Sequence, residues 1–425
     1  MSIIFLRRTL HVCLTTAIAA ASINLALAQN TPGAETTGAA LRQFIQTTLE
    51  TNPAILAARA EIEAAGGRVA AADRPIYNPQ LRIQAEQSET RLGTVGLDQA
   101  LDWSDKRGAN TNIASAELQV ARAEYTVRRQ QLTGELLSGL ADYHTAEAAH
   151  GLLLERSRLM TDFANLSQKR RRAGDLSQIE LDLASLAHTQ ADLELSLAAT
   201  DLAQADQNLA AVTGQATQTW PALPPDIPAP EDFDPQALLT ALPQIRALQA
   251  RSVAARALVE LRRRERRPDP TLGATVGQER SFRNGADDSF GVVGLNLSIP
   301  LFVRNSFAAE VDTANAELAE AEQTKHEAFR RAEARLLSAA ERYRLSHAAW
   351  QAWLRSGRPS LGSQISQLDR IWKYGEMSTA DYLVQLNQTL DTRATALKIQ
   401  NRLWDAWADW LVASGEVDDW LARKP

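Results

Sequence analysis

Gly174-Asp175-Leu176-Ser177-Gln178-Ile179-Glu180-Leu181 is written a second time, in altered letters, as Gly375-Glu376-Met377-Ser378-Thr379-Ala380-Asp381-Tyr382. Each copy lies between two helical patterns. The glycine is the usual left-handed residue that stops a helix, and the apolar residue two places on suits a Schellman-type end. Ser177 and Ser378 then cap the following helix. Glu180 and Asp381 stand three residues further, where a carboxylate completes a capping box at the positive end of the helix dipole. Both stretches are expected to be tips of tight helical hairpins, at 174–177 and 375–378.

Working outward, the helices flanking these tips are long and seamed. Ile179, Leu183, Leu186, Gln190, Leu193 and Leu197 alternate steps of four and three, as do Leu383, Leu386, Leu390, Ala394 and Leu397, and Leu159, Phe163 and Leu166 continue the pattern on the facing helix. The expectation is an antiparallel coiled-coil hairpin in each half, with these residues at its seam. Helices are expected over about 41–73, 105–173 and 177–212, and again near 235–267, 305–374 and 378–414. The longest of each half would reach roughly 100 Å at 1.5 Å per residue.

The halves repeat at a spacing of about 200 residues, which suits a doubled domain better than a solenoid. Asn52-Pro53-Ala54-Ile55 answers Leu242-Pro243-Gln244-Ile245, Asn78-Pro79-Gln80-Leu81 answers Asp269-Pro270-Thr271-Leu272, and Ala116-Glu117-Leu118 answers Ala316-Glu317-Leu318. The organisation expected is a secretory leader at 1–28, a first repeat at 29–213, a proline-rich connector at 214–236, a second repeat at 237–414 and a tail at 415–425. Arg7 and Arg8 before an apolar run, with Ala26-Leu27-Ala28 as the small-x-small cleavage site, carry the leader assignment.

The only cysteine, Cys13, falls inside that leader, so neither a disulfide nor thiolate chemistry is expected of the mature chain. Without Arg7 and Arg8 the chain has 43 basic residues against 51 acidic, a net charge of −8. That balance, with export, argues against a nucleic-acid partner. His144, His150, His188, His326 and His347 form no close pair at ligand spacing, so no metal site and no cofactor are expected. No nucleophile elbow or phosphate loop appears, and no apolar run reaches the 18 or so residues of a membrane-spanning helix.

Each half also carries a pair of segments with period two, at 79–103 and 270–301. Leu81, Ile83 and Ala85 alternate with Arg82, Gln84 and Glu86; Val95, Leu97, Leu101 and Trp103 oppose Gly96, Asp98 and Asp102. Val293, Leu295, Leu297, Ile299 and Leu301 alternate with Val292, Gly294, Asn296 and Ser298. A soluble sheet with one wet face has the same alternation. Two hairpins set between such long helices, however, have nothing to bury their apolar faces against, and lipid supplies it. Single-chain outer-membrane barrels have at least about eight strands, so four per chain imply several chains closing one barrel. Ser88 to Gly93 and Arg280 to Ser289, with Asn284-Gly285, are expected to be the polar loops of these hairpins.

The Pro-Gln-Leu opening, Leu101-Asp102-Trp103-Ser104-Asp105-Lys106-Arg107-Gly108, Ile299-Pro300-Leu301-Phe302-Val303-Arg304-Asn305 and the paired Gly-x-x-Ser tips together resemble the TolC family of outer-membrane efflux proteins over the whole mature chain. Lys106-Arg107-Gly108 is more similar to the heavy-metal branch than to the drug branch. The resemblance implies a mainly α fold with a small β part: duplicated coiled-coil hairpins forming a periplasmic α-barrel, and four strands per chain contributing to a 12-stranded barrel of a homotrimer in outer-membrane lipid. It implies no enzyme activity. The implied partners are a periplasmic adaptor (a membrane fusion protein) docked on the tips Gly174, Asp175, Leu176, Ser177, Gly375, Glu376, Met377 and Ser378, and an inner-membrane pump of the resistance-nodulation-division type. It further implies that Glu180 and Asp381 line the closed entrance. Met377 and Val384 stand where well-studied members carry an arginine and an aspartate, a departure from their polar gating network.

Several residues admit two readings. Glu180 and Asp381 serve equally as caps or as a ring of charge favouring cations, and both roles are compatible. Lys169-Arg170-Arg171-Arg172 suits a solvated helix C-terminus more than a docking patch. Arg262-Arg263-Arg264-Glu265-Arg266-Arg267 is either the membrane edge or ordinary surface charge. Trp103, Phe290 and Phe302 fit an interfacial belt, and Trp404, Trp407 and Trp410 fit helix packing. The expected function is the outer-membrane duct for heavy-metal cations delivered by such a pump. Drug efflux or type I secretion through the same fold is the first alternative, and a periplasmic coiled-coil scaffold the alternative of another class.

Overall fold

The computed structural model describes residues 33–214, 219–283, 286–361 and 364–423. The leader and its cleavage site lie outside the described residues. The first repeat runs α1 (Gly33–Thr51), α2 (Pro53–Ala72), β1 (Gln80–Gln87), β2 (Thr90–Ala100), α3 (Lys106–Ala173) and α4 (Gln178–Thr213). The second runs α5 (Pro235–Ala241), α6 (Pro243–Glu265), β3 (Thr271–Arg283), β4 (Ala286–Ser298), α7 (Ala308–Ala352), a π-turn at Trp353–Gly357, α8 (Arg358–Leu361), α9 (Gln364–Lys373) and α10 (Thr379–Ser414). A short α11 (Val417–Ala422) closes the chain.

Three helices expected to be continuous are broken, each at a proline. Asn52 and Leu242 take extended ψ values of 126° and 129° ahead of Pro53 and Pro243, because a proline ring clashes with a helical residue before it. Pro53 and Pro243 then occupy the first helical positions, where a missing N–H costs nothing. In the second repeat the long helix passes through the π-turn before Pro359, and the Arg358 N–H reaches back to the Trp353 carbonyl. Gly357 makes room there, since a Cβ would overlap the Trp353 ring. Of the two longest helices expected, one in each half, α3 alone is an unbroken rod, of 68 residues and about 100 Å.

The strands form one antiparallel sheet in the order β1-β2-β3-β4, so the hairpins of the two repeats merge side by side. Pairing runs further into the hairpin ends than the expected loops allowed. Arg91, Leu92 and Gly93 pair with Gln87, Glu86 and Ala85, and Arg280 to Arg283 pair with Ser289 to Ala286. Backbone hydrogen bonding is indifferent to the polarity that marked these residues as loop. Asn284-Gly285 lies outside the described residues.

The register sorts the side chains into two faces. One carries the rows Leu81–Leu97–Ala274–Leu295 and Ile83–Val95–Val276–Val293; no other layer among the described residues covers it, and Val293 and Leu295 are 80% and 88% exposed. The other carries Arg82–Gly96–Thr275–Gly294 and Gln80–Asp98–Gly273–Asn296. A Cβ on Gly273 would run into Asp98 and Asn296, and one on Gly96 into Thr275. Glycine on the polar face thus lets the sheet curl towards that face, as a barrel wall must.

Below the sheet the helices form a layer in which α4 packs on α3, α3 on α10, and α10 on α7 and α9, with α2 beside α3 and α6 between α3 and α7. The main core joins α1, α3, α10, α11 and the connector around Leu41, Ile45, Leu136, Leu140, Trp404 and Trp407. Trp404, Trp407 and Trp420 meet edge to face within it, and Trp410 packs on Phe233.

The seam of the first hairpin differs from expectation. Ile179, Leu183, Leu186, Leu193 and Leu197 are 42–73% exposed, and Ala184, Ala191 and Ala198 face inward instead. The facing surface of α3 presents Met160 and Phe163, and large side chains interdigitate with small ones. In the second hairpin the expectation holds, with Leu386 and Leu390 buried and Leu383, Ala394 and Leu397 packed beside them.

Candidate functional sites at the hairpin tips and the strand face

At the first tip Gly174 sits at φ 89°, its N–H bonded to the Arg171 carbonyl and that of Asp175 to Arg170, closing α3. Leu176 is buried beneath it. Ser177 then opens α4 with a complete capping box: its Oγ accepts from the Glu180 N–H at 3.2 Å, and Glu180 Oε2 accepts from the Ser177 N–H at 2.9 Å and its hydroxyl at 2.7 Å. These bonds to the ionised form hold the Glu180 carboxyl below its ordinary value. The second tip repeats the design with Gly375 at φ 77°. Asp381, one methylene shorter, accepts from the Ser378 hydroxyl at 2.6 Å while its N–H donates to that oxygen at 3.1 Å. Met377 packs into the apolar cluster below, whereas Glu376 and Ser378 are exposed.

The two tips are joined by a residue that the sequence placed in solvent. Arg170 of α3 donates from Nη2 to the Trp372 and Lys373 carbonyls of α9, both at 3.1 Å, and its guanidinium lies 5.0 Å from the Trp372 ring centroid. Trp372 in turn stacks on Tyr382 at 5.0 Å and tilts against Phe163 at 4.6 Å, all three buried. One arginine therefore satisfies the free carbonyls at the end of α9 and covers an aromatic core built from α3, α9 and α10. A basic run gave no sign of which member would be enlisted, because that depends on the facing helix end.

The second basic run fastens the strands to the helices. Arg264 binds the Asp105 carboxylate at 2.7 Å, and Arg266 donates to the Ser306 carbonyl. Beside them Asp269, almost fully buried, accepts from Lys106 Nζ at 2.8 Å and the Tyr77 hydroxyl at 2.6 Å, tying the first repeat to the second. Of the aromatics, Trp103 is 74% exposed just past β2, and Phe302 lies edge-on to Phe307 just past β4. Phe290 pairs with Glu279 on the polar face, opposite Leu295 and Leu297. Its position three residues before Val293, an odd number, sets it there rather than among the lipid-type residues.

On the side of α10 turned away from its tryptophans, a cleft of about 1020 Å³ opens between α3 and α7. Asp409 is gripped there by Arg335 and Arg342. Asp405 is pushed up to about 6, first by burial and then by the Asp142 charge, against the Ser138 hydrogen bond. The folded chain thus holds that proton more tightly than the unfolded chain, so the contact is strongest at acid pH and weakens as pH rises through about 6. Asp405→Asn is expected to stabilise the fold at pH 7.5 by about 1 kcal/mol after solvent screening, read as a higher thermal midpoint. The gain should vanish by pH 4, as thermal melts across that range will test.

Residues 44–215 match the family model described as outer membrane efflux protein. The chain is similar to the cobalt-zinc-cadmium resistance protein CzcC of Cupriavidus metallidurans, at 26% identity over 70% of this chain and 74% of that one. It is also similar to the nickel-cobalt-cadmium resistance protein NccC of Alcaligenes xylosoxydans xylosoxydans, at 26% over 62% and 61%. Among solved structures, the outer-membrane channel OprN shares the fold with a TM-score of 0.72 at 17% identity, over 90% of this chain and 92% of that one.

Proposed function

The chain belongs to the outer membrane efflux protein family, and from that premise we propose that it is the outer-membrane duct through which an inner-membrane pump and a periplasmic adaptor expel divalent metal cations. The observation that carries the duct is the four-stranded sheet with a bare apolar face, a glycine-lined polar face and two edges unpaired among the described residues, continuous with helices of which the longest, α3, reaches about 100 Å. A periplasmic scaffold would leave those leucines and valines in water to no purpose. Three copies give twelve strands, in keeping with the trimeric channels of the family.

The cargo reading rests on the two metal-resistance relatives, and the pump on the same ground, with a resistance-nodulation-division type expected. The tips 174–177 and 375–378 are the proposed adaptor contacts, and Glu180 and Asp381 the proposed entrance carboxylates. Threefold repetition of these acids at a constriction would favour cations and slow anions. A strain lacking this chain is expected to lose tolerance to cobalt, zinc, cadmium or nickel and to keep its drug tolerance. Unchanged metal tolerance with lost drug or protein export would move the cargo to another class. In planar bilayers the double variant Glu180→Ala, Asp381→Ala is expected to lose cation preference. Unaltered selectivity with a lower melting temperature would assign both residues to capping alone.

A further inference from the structure

Near the hairpin ends the lipid-type face of the sheet stops being apolar. Arg91 of β2 and Arg280 of β3 stand directly opposite each other there, both exposed, in the row Gln87–Arg91–Arg280–Ser289. Each lies an even number of residues from Val95 or Val276 on its own strand, so the pair shares their face. We propose that this pair binds the phosphate of an outer-leaflet glycolipid, lipopolysaccharide. The proposal rests on the duct reading above and goes beyond it by naming a lipid that the barrel wall holds.

Height supports the site. Arg91 is ten residues along the chain from Leu101, where the first hairpin meets the helical layer, and Ser289 is ten from Ile299 on the second. Ten residues at about 3.3 Å each, tilted by about 40°, rise about 25 Å, the height of the apolar band on an outer-membrane barrel. The helices leave the sheet at the Leu101 end, so the arginines stand at the opposite interface, among the outer headgroups. An arginine at that level escapes most of the penalty it would meet near mid-membrane.

Charge and shape agree. Like charges directly opposite each other weaken a sheet, and an anion seated between them turns the repulsion into attraction. A guanidinium offers a phosphate two parallel N–H donors, and Arg280 makes no ion pair among the described residues. Protecting a bare sheet edge does not explain the charges, because β2 and β3 are the central strands. The next row towards the helices is Ala85–Gly93–Gln278–Gly291, and a Cβ on Gly93 or Gly291 would meet nothing within 4 Å. A shallow dip therefore lies below the arginines, with the Gln278 amide beside it, before the row Ile83–Val95–Val276–Val293 offers a surface for acyl chains. One arginine comes from each repeat, so the site is complete within a single chain.

The test uses the full-length trimer extracted from outer membranes in neutral detergent, with purified lipid A, dephosphorylated lipid A and inorganic phosphate as probes. Native mass spectrometry reads binding, and thermal melts read stabilisation. The wild-type trimer is expected to bind lipid A and to discriminate against the dephosphorylated form. The double variant Arg91→Gln, Arg280→Gln is expected to bind lipid A at least about tenfold more weakly, as the loss of charge-assisted bonds implies. Arg280→Gln alone should lose affinity several-fold, and it decides the matter if the double variant does not assemble. Arg263→Gln, on α6 below the sheet, should bind as the wild type does. Equal affinity in wild type and Arg280→Gln, or equal binding of lipid A with and without its phosphates, overturns the proposal. So does stabilisation by inorganic phosphate as large as that by lipid A, which would assign the arginines to a free anion. A trimer that still conducts in planar bilayers leaves the duct reading intact in those cases, whereas a chain that neither trimerises nor conducts removes both.

Discussion

Leu295→Arg is expected to leave the chain unable to form a stable trimer in the outer membrane. Leu295 is 88% exposed in the single chain, and at the surface of a water-soluble protein such a change is worth about 0.5 kcal/mol either way. On the lipid face of a barrel wall an arginine near mid-membrane costs about 2–4 kcal/mol per copy, and a ring of three copies multiplies it. Gln84→Arg is the control. Gln84 pairs with Thr94 on the opposite face, in the row next to Arg82, and an arginine there meets water and should assemble normally. Membrane fractionation and the detergent-stable trimer band distinguish the two variants. If Leu295→Arg assembles as well as Gln84→Arg, the apolar face does not contact lipid and the duct loses its membrane wall.

Trp372→Ala is the second large effect, and it falls on the tips alone. Removing a buried indole typically costs about 3–5 kcal/mol through lost contacts and the remaining cavity. Here it also takes the partner of Phe163, Tyr382 and the Arg170 guanidinium. The cluster around Trp372 is separate from the main core near Trp404, so the loss should appear as local opening rather than global unfolding. Hydrogen exchange is expected to quicken over residues 160–180 and 365–385 and to stay slow at Leu136 and Leu140. Arg170→Ala should loosen the same segments less, because it frees two carbonyls and a ring face but leaves the aromatic stack packed. Resting conductance in bilayers should rise in the same order, Trp372→Ala above Arg170→Ala. Uniform destabilisation, with the main core exchanging as fast as the tips, would show that the tips are not an independent unit.

Much of the architecture was legible because it is written in local hydrogen bonding and simple periods. The two Gly-x-x-Ser tips, the unbroken α3 and the alternating strands each follow from residues within a few positions of one another. The breaks at Pro53, Pro243 and Pro359 were equally local, and the helical periodicity running across them hid a signal that was present. The expected seam on α4 failed for another reason. Leucine and alanine stripes run side by side at the same spacing, and their order of preference is set by Met160 and Phe163 on the facing helix, about twenty residues away in the chain. The tip arginine was hidden in the same way, since Arg170 meets Trp372 across some two hundred residues.

The sequence by itself therefore determined the lengths of the helices, the caps that turn them and the two-faced strands, because each depends on a residue's own backbone and its near neighbours. Only the tertiary structure decided that the two hairpins share one sheet, that α4 hides its alanines and shows its leucines, and that one arginine of a basic run bridges the tips. Those outcomes depend on the shape and charge of surfaces brought together from distant parts of the chain, and no local period encodes which of two equally spaced stripes a distant surface will fit.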